Sequence, residues 1–244
     1  MTRLAAENLT LGFPERVLRQ GVDLEVRPGE CWAVLGNNGS GKTTLLHALA
    51  GLRPALSGRV LLDGVALPRV AHAARARKIG LLLQEEAVAF WGTLLEYVLL
   101  GRYPHRRWML GADAGDEALA RAALEQVDLA GREVRMLSTL SGGERQRARL
   151  ALILTQDPEV YLLDEPLQHL DLRHQLETLA LLRSLAQQRG KAVVMVLHEP
   201  ARARRFCDRA LLLFEDGRSQ AGAVGELLAR EVLERLYGCP VEGT

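Results

Sequence analysis

The sequence predicts an α/β fold built on a mostly parallel β-sheet with helices on both faces. Three observations lead there. A glycine-rich turn, "GNNGSGKTT" (Gly36–Thr44), joins an apolar strand pattern to a helical one. Strand and helix patterns alternate again from residue 157 onward, as they do when parallel strands are joined by crossover helices. Between these regions, residues 87–156 carry only the helical period, which predicts an all-helical insertion into a sheet that is completed after it.

Taken in order, "AENLTLGF" and "VDLEV" alternate in the strand period and predict strands near a sheet edge. "CWAVLG" is continuously apolar, as a strand buried on both faces must be. "GKTTLLHALAGL" has helix spacing, whereas "GRVLLDG" and "KIGLLLQ" are further strands. The insertion contains "TLLEYVLLG", "DEALARAALEQVDL" and "GGERQRARLALILTQ". Alternation resumes with "EVYLLDEP", "LRHQLETLALLRSLAQQ", "KAVVMVLHE" and "RALLLFEDGR", and the end of the chain predicts one or two short surface helices. The expected organisation is one domain, with residues 1–86 and 157–222 as the core, 87–156 as a helical subdomain and 223–244 as a tail.

Bulk properties narrow the function. The 244 residues are 48% hydrophobic, enough for a substantial core. A formal net charge of +1 offers no basic field, which argues against a nucleic-acid partner. Cys31, Cys207 and Cys239 are far apart and lack paired metal-type spacing, so ordinary buried thiols in a reducing compartment are expected. "MTRLAAENLTLGF" lacks the layout of a signal peptide, and no apolar run approaches the length of a membrane span.

"GNNGSGKTT" matches G-x-x-x-x-G-K-[ST] in the strand–loop–helix setting that this pattern requires. Gly36, Gly39 and Gly41, with Asn37, Asn38 and Ser40 between them, let consecutive amides converge on an anion at the start of a helix. Lys42 supplies a compact charge for terminal phosphates, and the Thr43 hydroxyl, followed by Thr44, is suited to Mg²⁺. In parallel sheets the active crevice lies beyond the carboxyl ends of the strands. Asp164 and Glu165 end "VYLLDE", Gln84 ends "GLLLQ" and His198 ends "VVMVLH". Asp164 is suited to a Mg²⁺ shell and Glu165 to activating water as a general base. Gln84 could contact both Mg²⁺ and that water, and His198 the γ-phosphate or the water. A structural histidine and a turn-capping acid pair remain the plainer alternatives.

"LSGGERQR" (Leu140–Arg147) poses a separate problem, because Ser141, Gly142 and Gly143 open a helix as an anion site would, without a lysine. Simple capping is the alternative. Together with "GNNGSGKTT", Gln84, "YLLDEP", "HLD" and His198, in that order, the stretch resembles the signature motif of the ATP-binding cassette (ABC) ATPases. That resemblance implies a P-loop NTPase (RecA-like) core with an N-terminal antiparallel β part and the inserted helical subdomain. It also implies ATP as ligand with Mg²⁺, and head-to-tail pairing with a second copy. Ser141, Gly142, Gly143 and Glu144 would then cap the γ-phosphate of the partner's ATP. Leu170 and Asp171 match the loop that crosses between subunits, although Asp171 is equally suited to capping the helix from Leu172. Phe13 matches the aromatic that stacks on adenine, with a core Phe as the alternative. "NNG", "QHLD" and "HEP" depart from the commoner family patterns without removing a catalytic group.

Within the insertion, "FWGTLLEYVLLGRYPH" (Phe90–His105) resembles the ATPase subunits of vitamin B12, haem and ferric-siderophore importers. This implies integral membrane permease subunits as partners, a substrate-binding protein indirectly, and a place at the cytoplasmic face of the inner membrane. "ARARK" and "RYPHRRW" could face the membrane or permease, or simply be solvated. The competing expectation is a soluble ABC ATPase assisting iron–sulfur cluster assembly.

Overall fold

The computed structural model describes residues 3–84, 90–105 and 114–240. The N-terminal part is antiparallel. Strand β1 (Leu4–Phe13) pairs with β2 (Arg16–Val26). After β3 (Cys31–Gly36) and helix α1 (Lys42–Leu49), strand β4 (Ser57–Leu62) returns to the other side of β1 and turns into β5 (Val65–Ala66). "GRVLLDG" is therefore a strand, but it belongs to this four-stranded sheet of order β2-β1-β4-β5.

Helix α2 (His72–Lys78) holds the first basic cluster, and β6 (Ile79–Leu82) follows it. The insertion carries α3 (Leu94–Leu99), α4 (Ala114–Gln126) and α5 (Gly142–Gln156). The chain then runs through β7 (Val160–Leu163), α6 (Leu172–Arg189), β8 (Ala192–Val196), α7 (Pro200–Phe206), β9 (Arg209–Leu213) and β10 (Ser219–Ala223). It ends in α8 (Val224–Leu227) and α9 (Arg230–Tyr237). The central sheet has the order β10-β9-β3-β8-β7-β6, parallel except for the edge strand β10. The sequence pattern does not reveal β10, because "SQAGA" contains no β-branched or large apolar residue.

Strand β3 shows why its sequence is apolar throughout. Trp32 and Val34 face a core shared with α1 and the antiparallel sheet, while Cys31, Ala33 and Leu35 face one shared with α5 and α6. In the second core, two thiols distant in sequence meet: the sulfurs of Cys31 and Cys207 lie 3.8 Å apart. Cys239 is exposed. The basic residues Arg106 and Arg107, with Trp108, fall outside the described residues.

The tail is more than a surface appendage. Leu233 and Leu236 of α9 are fully buried in the same core as α5 and α6, while the opposite face of α9 is polar. Leu236→Ala should therefore lower stability by about 3 kcal/mol, the usual cost of a cavity left by a buried leucine. Thermal unfolding checks this: a melting temperature unchanged from wild type would show that α9 does not contribute to the fold.

Candidate functional site

The phosphate loop forms where β3 ends. A Cβ on Gly36 would lie 2.6 Å from the Leu213 carbonyl oxygen and 2.8 Å from Ser40 Oγ, so only glycine lets the chain leave β3 here. The loop then delivers its amides to the first turn of α1. Lys42 is buried, and its Nζ donates to the carbonyls of Gly36 (2.8 Å) and Asn37 (2.9 Å). Burial pulls the Lys42 pKa below its ordinary value, while the charges of Glu165 and Asp164 oppose that shift. Ser40 Oγ is buried and has no hydrogen-bond partner.

A cleft of about 650 Å³ opens over this loop. Asn38, Gly39, Gly41, Lys42, Thr43 and Thr44 line it together with Phe13, Gln84, Glu165 and His198, so residues from five distant segments meet there. The sheet register explains the convergence: Leu82 pairs with Leu163 and Leu163 with Met195, which aligns the carboxyl ends of β6, β7 and β8. Phe13 is no core residue. It is 43% exposed, and the Arg53 guanidinium lies 4.4 Å from its ring centre. Asn37 and Ser40 do not line the cleft. The Asn37 amide turns to the rear of the loop and donates to Glu215 Oε1 (2.7 Å) and to the Leu236 carbonyl (3.5 Å).

The two carboxylates at the end of β7 differ in surroundings. Asp164 is buried, its side chain is hydrogen-bonded to Thr43, and its Oδ2 has no hydrogen-bond partner. Burial raises its pKa, the Glu165 charge adds to this, and the Thr43 bond opposes it. Glu165 has left-handed backbone geometry (φ 49°), which is uncommon outside glycine and concentrates at functional sites. Its Oε1 lies 2.9 Å from His198 Nε2, and its Oε2 accepts from the Gln168 amide. Gln168, read from the sequence only as a departure in "QHLD", lines the cleft, as do Arg16 and Leu18. Its position three residues after Glu165, across a turn closed by the Gln168 N–H to Glu165 C=O bond (3.2 Å), was the available signal.

The "LSGGERQR" stretch does not line this cleft. Ser141 caps α5 in a capping box: Glu144 N–H donates to Ser141 Oγ (3.2 Å), and Ser141 N–H donates to Glu144 Oε2 (2.8 Å). Glu144 also takes Arg132 and Arg135. A Cβ on Gly143 would stand 3.0 Å from the His169 carbonyl oxygen, so the start of α5 packs tightly on the loop after β7. Ser141 remains exposed and Gly142 half-buried. Asp171 caps α6 through a bond from His174 N–H (2.9 Å), so the capping role expected of it is filled within the chain.

The raised pKa of Asp164 has a measurable sign. Above its folded pKa the carboxylate costs stability, and below its unfolded pKa the cost vanishes. Asp164→Asn should therefore raise the melting temperature of nucleotide-free protein at neutral pH, with the gain shrinking as pH falls through the carboxylate range. A lower melting temperature at neutral pH would contradict this.

Known proteins similar to this chain in sequence and in fold are numerous. The family model described as ABC transporter matches residues 19–168. The hemin import ATP-binding protein of Myxococcus xanthus (strain DK1622) is 41% identical over 228 residues, covering 91% of this chain and 84% of that protein. The achromobactin transport ATP-binding protein of Dickeya dadantii (strain 3937) is 37% identical, covering 97% of this chain and 88% of that one. Among solved structures, an inward-facing ABC transporter of metal-chelate type superposes with a TM-score of 0.85 at 30% identity, covering 98% of this chain and 90% of that one. A dimeric ATP-binding cassette bound to ADP and phosphate superposes with a TM-score of 0.80 at 27% identity, covering 91% of this chain and 98% of that one. The family match over residues 19–168 and the identity to these relatives show that the chain belongs to the family of ABC transporter ATP-binding proteins.

Proposed function

We propose that the chain is the ATP-hydrolysing motor subunit of a bacterial importer for a metal chelate, acting as a head-to-tail dimer on a separate permease. One observation carries the catalytic half: Lys42, Gln84, Glu165 and His198 line a single cleft over the phosphate loop. The import half rests on relatives named for hemin, achromobactin and ferric enterobactin. The same relatives leave the iron–sulfur assembly reading without support.

The roles follow from chemistry. Phe13 offers the adenine a ring at the mouth of the cleft. The amides from Gly36 to Thr44 cradle the phosphates, and Lys42 exchanges its two carbonyl partners for phosphate oxygens. Mg²⁺ fits the residues present, because the buried Asp164 Oδ2 lacks a partner and lies on the carboxyl group bonded to Thr43. Thr43, Gln84 and Asp164 would hold it, and it would supply charge neutralisation for the phosphates. Glu165 accepts a proton from the attacking water as its oxygen bonds to the γ-phosphorus and the bond to the bridging oxygen of ADP breaks. His198 and Gln168 orient that carboxylate from either side.

Ser141 and Asp171 are exposed and Gly142, Gly143 and Glu144 half-buried, all outside the chain's own cleft, which suits residues that serve the neighbour's nucleotide. In a two-fold arrangement each copy gives a loop and receives a signature. The permease would meet the insertion, where Trp91 is 87% and Tyr103 77% exposed. Among the described residues no helix is long and apolar enough to cross a membrane, so attachment at the cytoplasmic face would run through that permease. A substrate-binding protein would be a partner only indirectly.

The direct test is ATP hydrolysis by the chain reconstituted with its permease, followed by uptake of haem or a ferric siderophore. Glu165→Gln should retain ATP binding, slow turnover by about 10²-fold or more, and accumulate an ATP-bound dimer on gel filtration. Near-normal steady-state hydrolysis would refute the assignment. Ser141→Arg should leave ATP affinity of the monomer intact while abolishing ATP-driven dimerisation. Loss of affinity in the monomer, read by calorimetry, would mean that the signature serves its own subunit.

A further inference from the structure

Behind the phosphate loop lies a polar assembly that the hydrolysis chemistry does not use. Arg19 of β2 is 3% exposed; burial pulls its pKa below the ordinary value, and the charge of Asp216 opposes that shift. Its Nε donates to the Ser40 carbonyl (2.6 Å), inside the phosphate loop. Its Nη1 donates to the carbonyls of Phe214 and Arg218 (3.5 Å for the latter), the two ends of the turn between β9 and β10. Asn37 reaches the same turn through Glu215 Oε1 (2.7 Å) and the end of α9 through the Leu236 carbonyl (3.5 Å). Arg235 of α9 completes the arrangement by stacking over Phe214, 4.8 Å from its ring centre.

Burying a guanidinium is costly, and its desolvation is offset by hydrogen bonds to dipoles and by the charge of Asp216 in the turn between β9 and β10. Here those dipoles are backbone carbonyls of two segments far apart in sequence, one of which is the anion-binding loop itself. The planar fork of arginine can bond both segments at once, which the single ammonium of lysine cannot do with fixed geometry. The arrangement also consumes the Ser40 carbonyl, directing that peptide's oxygen to the rear of the loop.

We propose that Arg19 and Asn37 are positioning residues that brace the phosphate loop from behind against the Phe214–Arg218 turn and the end of α9. The proposal rests on the nucleotide reading of the cleft. It extends the site to residues that touch no phosphate, and it gives the tail a part in ATP affinity. Neither brace lies in the cleft, so their effect falls on how well the loop is preformed for its ligand and therefore on binding before chemistry.

The test uses the full chain and measures ATP Kd by calorimetry, KM and kcat of hydrolysis, and thermal melting. Asn37→Ala and Glu215→Ala each remove one side of the same exposed bond. Each should raise ATP Kd and KM by about threefold to tenfold, the worth of one hydrogen bond, with KM rising more than kcat falls. The double variant should be no worse than the singles, because both lesions sever one link. Arg19→Met should raise KM further than either, and Arg19→Lys should recover only part of the loss. A purely structural role would lower the melting temperature and leave ATP Kd and KM unchanged in Asn37→Ala and Glu215→Ala, and that result overturns the proposal. So does additivity in the double variant. These two surface variants decide the matter even if Arg19→Met fails to fold. Absence of ATP binding in wild type would be a separate failure, removing the nucleotide reading itself.

Discussion

The structure turns on a buried ammonium group. Lys42 is held at the end of the central strand by two carbonyl oxygens of its own loop, with no carboxylate in contact. Such a charge persists only where surrounding dipoles over-determine its position. Here β3 is flanked on both sides by parallel strands and covered on both faces by apolar cores. The rigidity of that setting fixes the loop, and the loop fixes the lysine. Acidic groups then gather at a distance: Asp164 and Glu165 oppose the lysine's desolvation without touching it, which leaves room between them for a polyanion and its counterion.

Much of this was legible in the chain. The phosphate loop, the apolar strands β3, β6, β7 and β8, the helical insertion and the strand-end residues Gln84, Asp164, Glu165 and His198 follow from period and spacing, because two-sided burial demands uninterrupted apolar runs. Arg19 illustrates what was hidden. Val22, Leu24 and Val26 face inward, so strict alternation would send Arg19 outward. The pairing shifts from Leu9↔Val22 to Leu11↔Arg19, which puts one extra residue into β2 and swings Arg19 to the inside. A bulge of this kind leaves no clear mark in the pattern.

Asn37 shows a different limit. Its place in the loop motif suggests contact with the ligand, but side-chain direction depends on the local backbone, which here turns the amide toward Glu215. Partners that lie far along the chain are invisible to spacing. The same holds for the meeting of Cys31 with Cys207 and for the burial of Leu233 and Leu236, since a short amphipathic helix looks alike whether its apolar face meets the core or lies loosely on the surface. The capping boxes at Thr93 and Ser141 are the opposite case: their partners lie three residues away, so the motif is nearly the structure.

The strand order also governs assembly during synthesis. The antiparallel sheet draws all its strands from the first 66 residues and can pair as soon as they emerge. Strand β3 cannot: both its neighbours, β8 and β9, come from the last quarter of the chain. Until Leu213 has left the ribosome, the strand that carries the phosphate loop has an unpaired edge and apolar faces only partly covered. Strands β6 and β7 are likewise neighbours separated by the whole insertion, so closing that pair waits on compaction of α3, α4 and α5. The cleft at these strand ends thus cannot be organised until β8 and β9 have joined β3, so a nascent chain has no complete cleft to offer before residue 213 has been made.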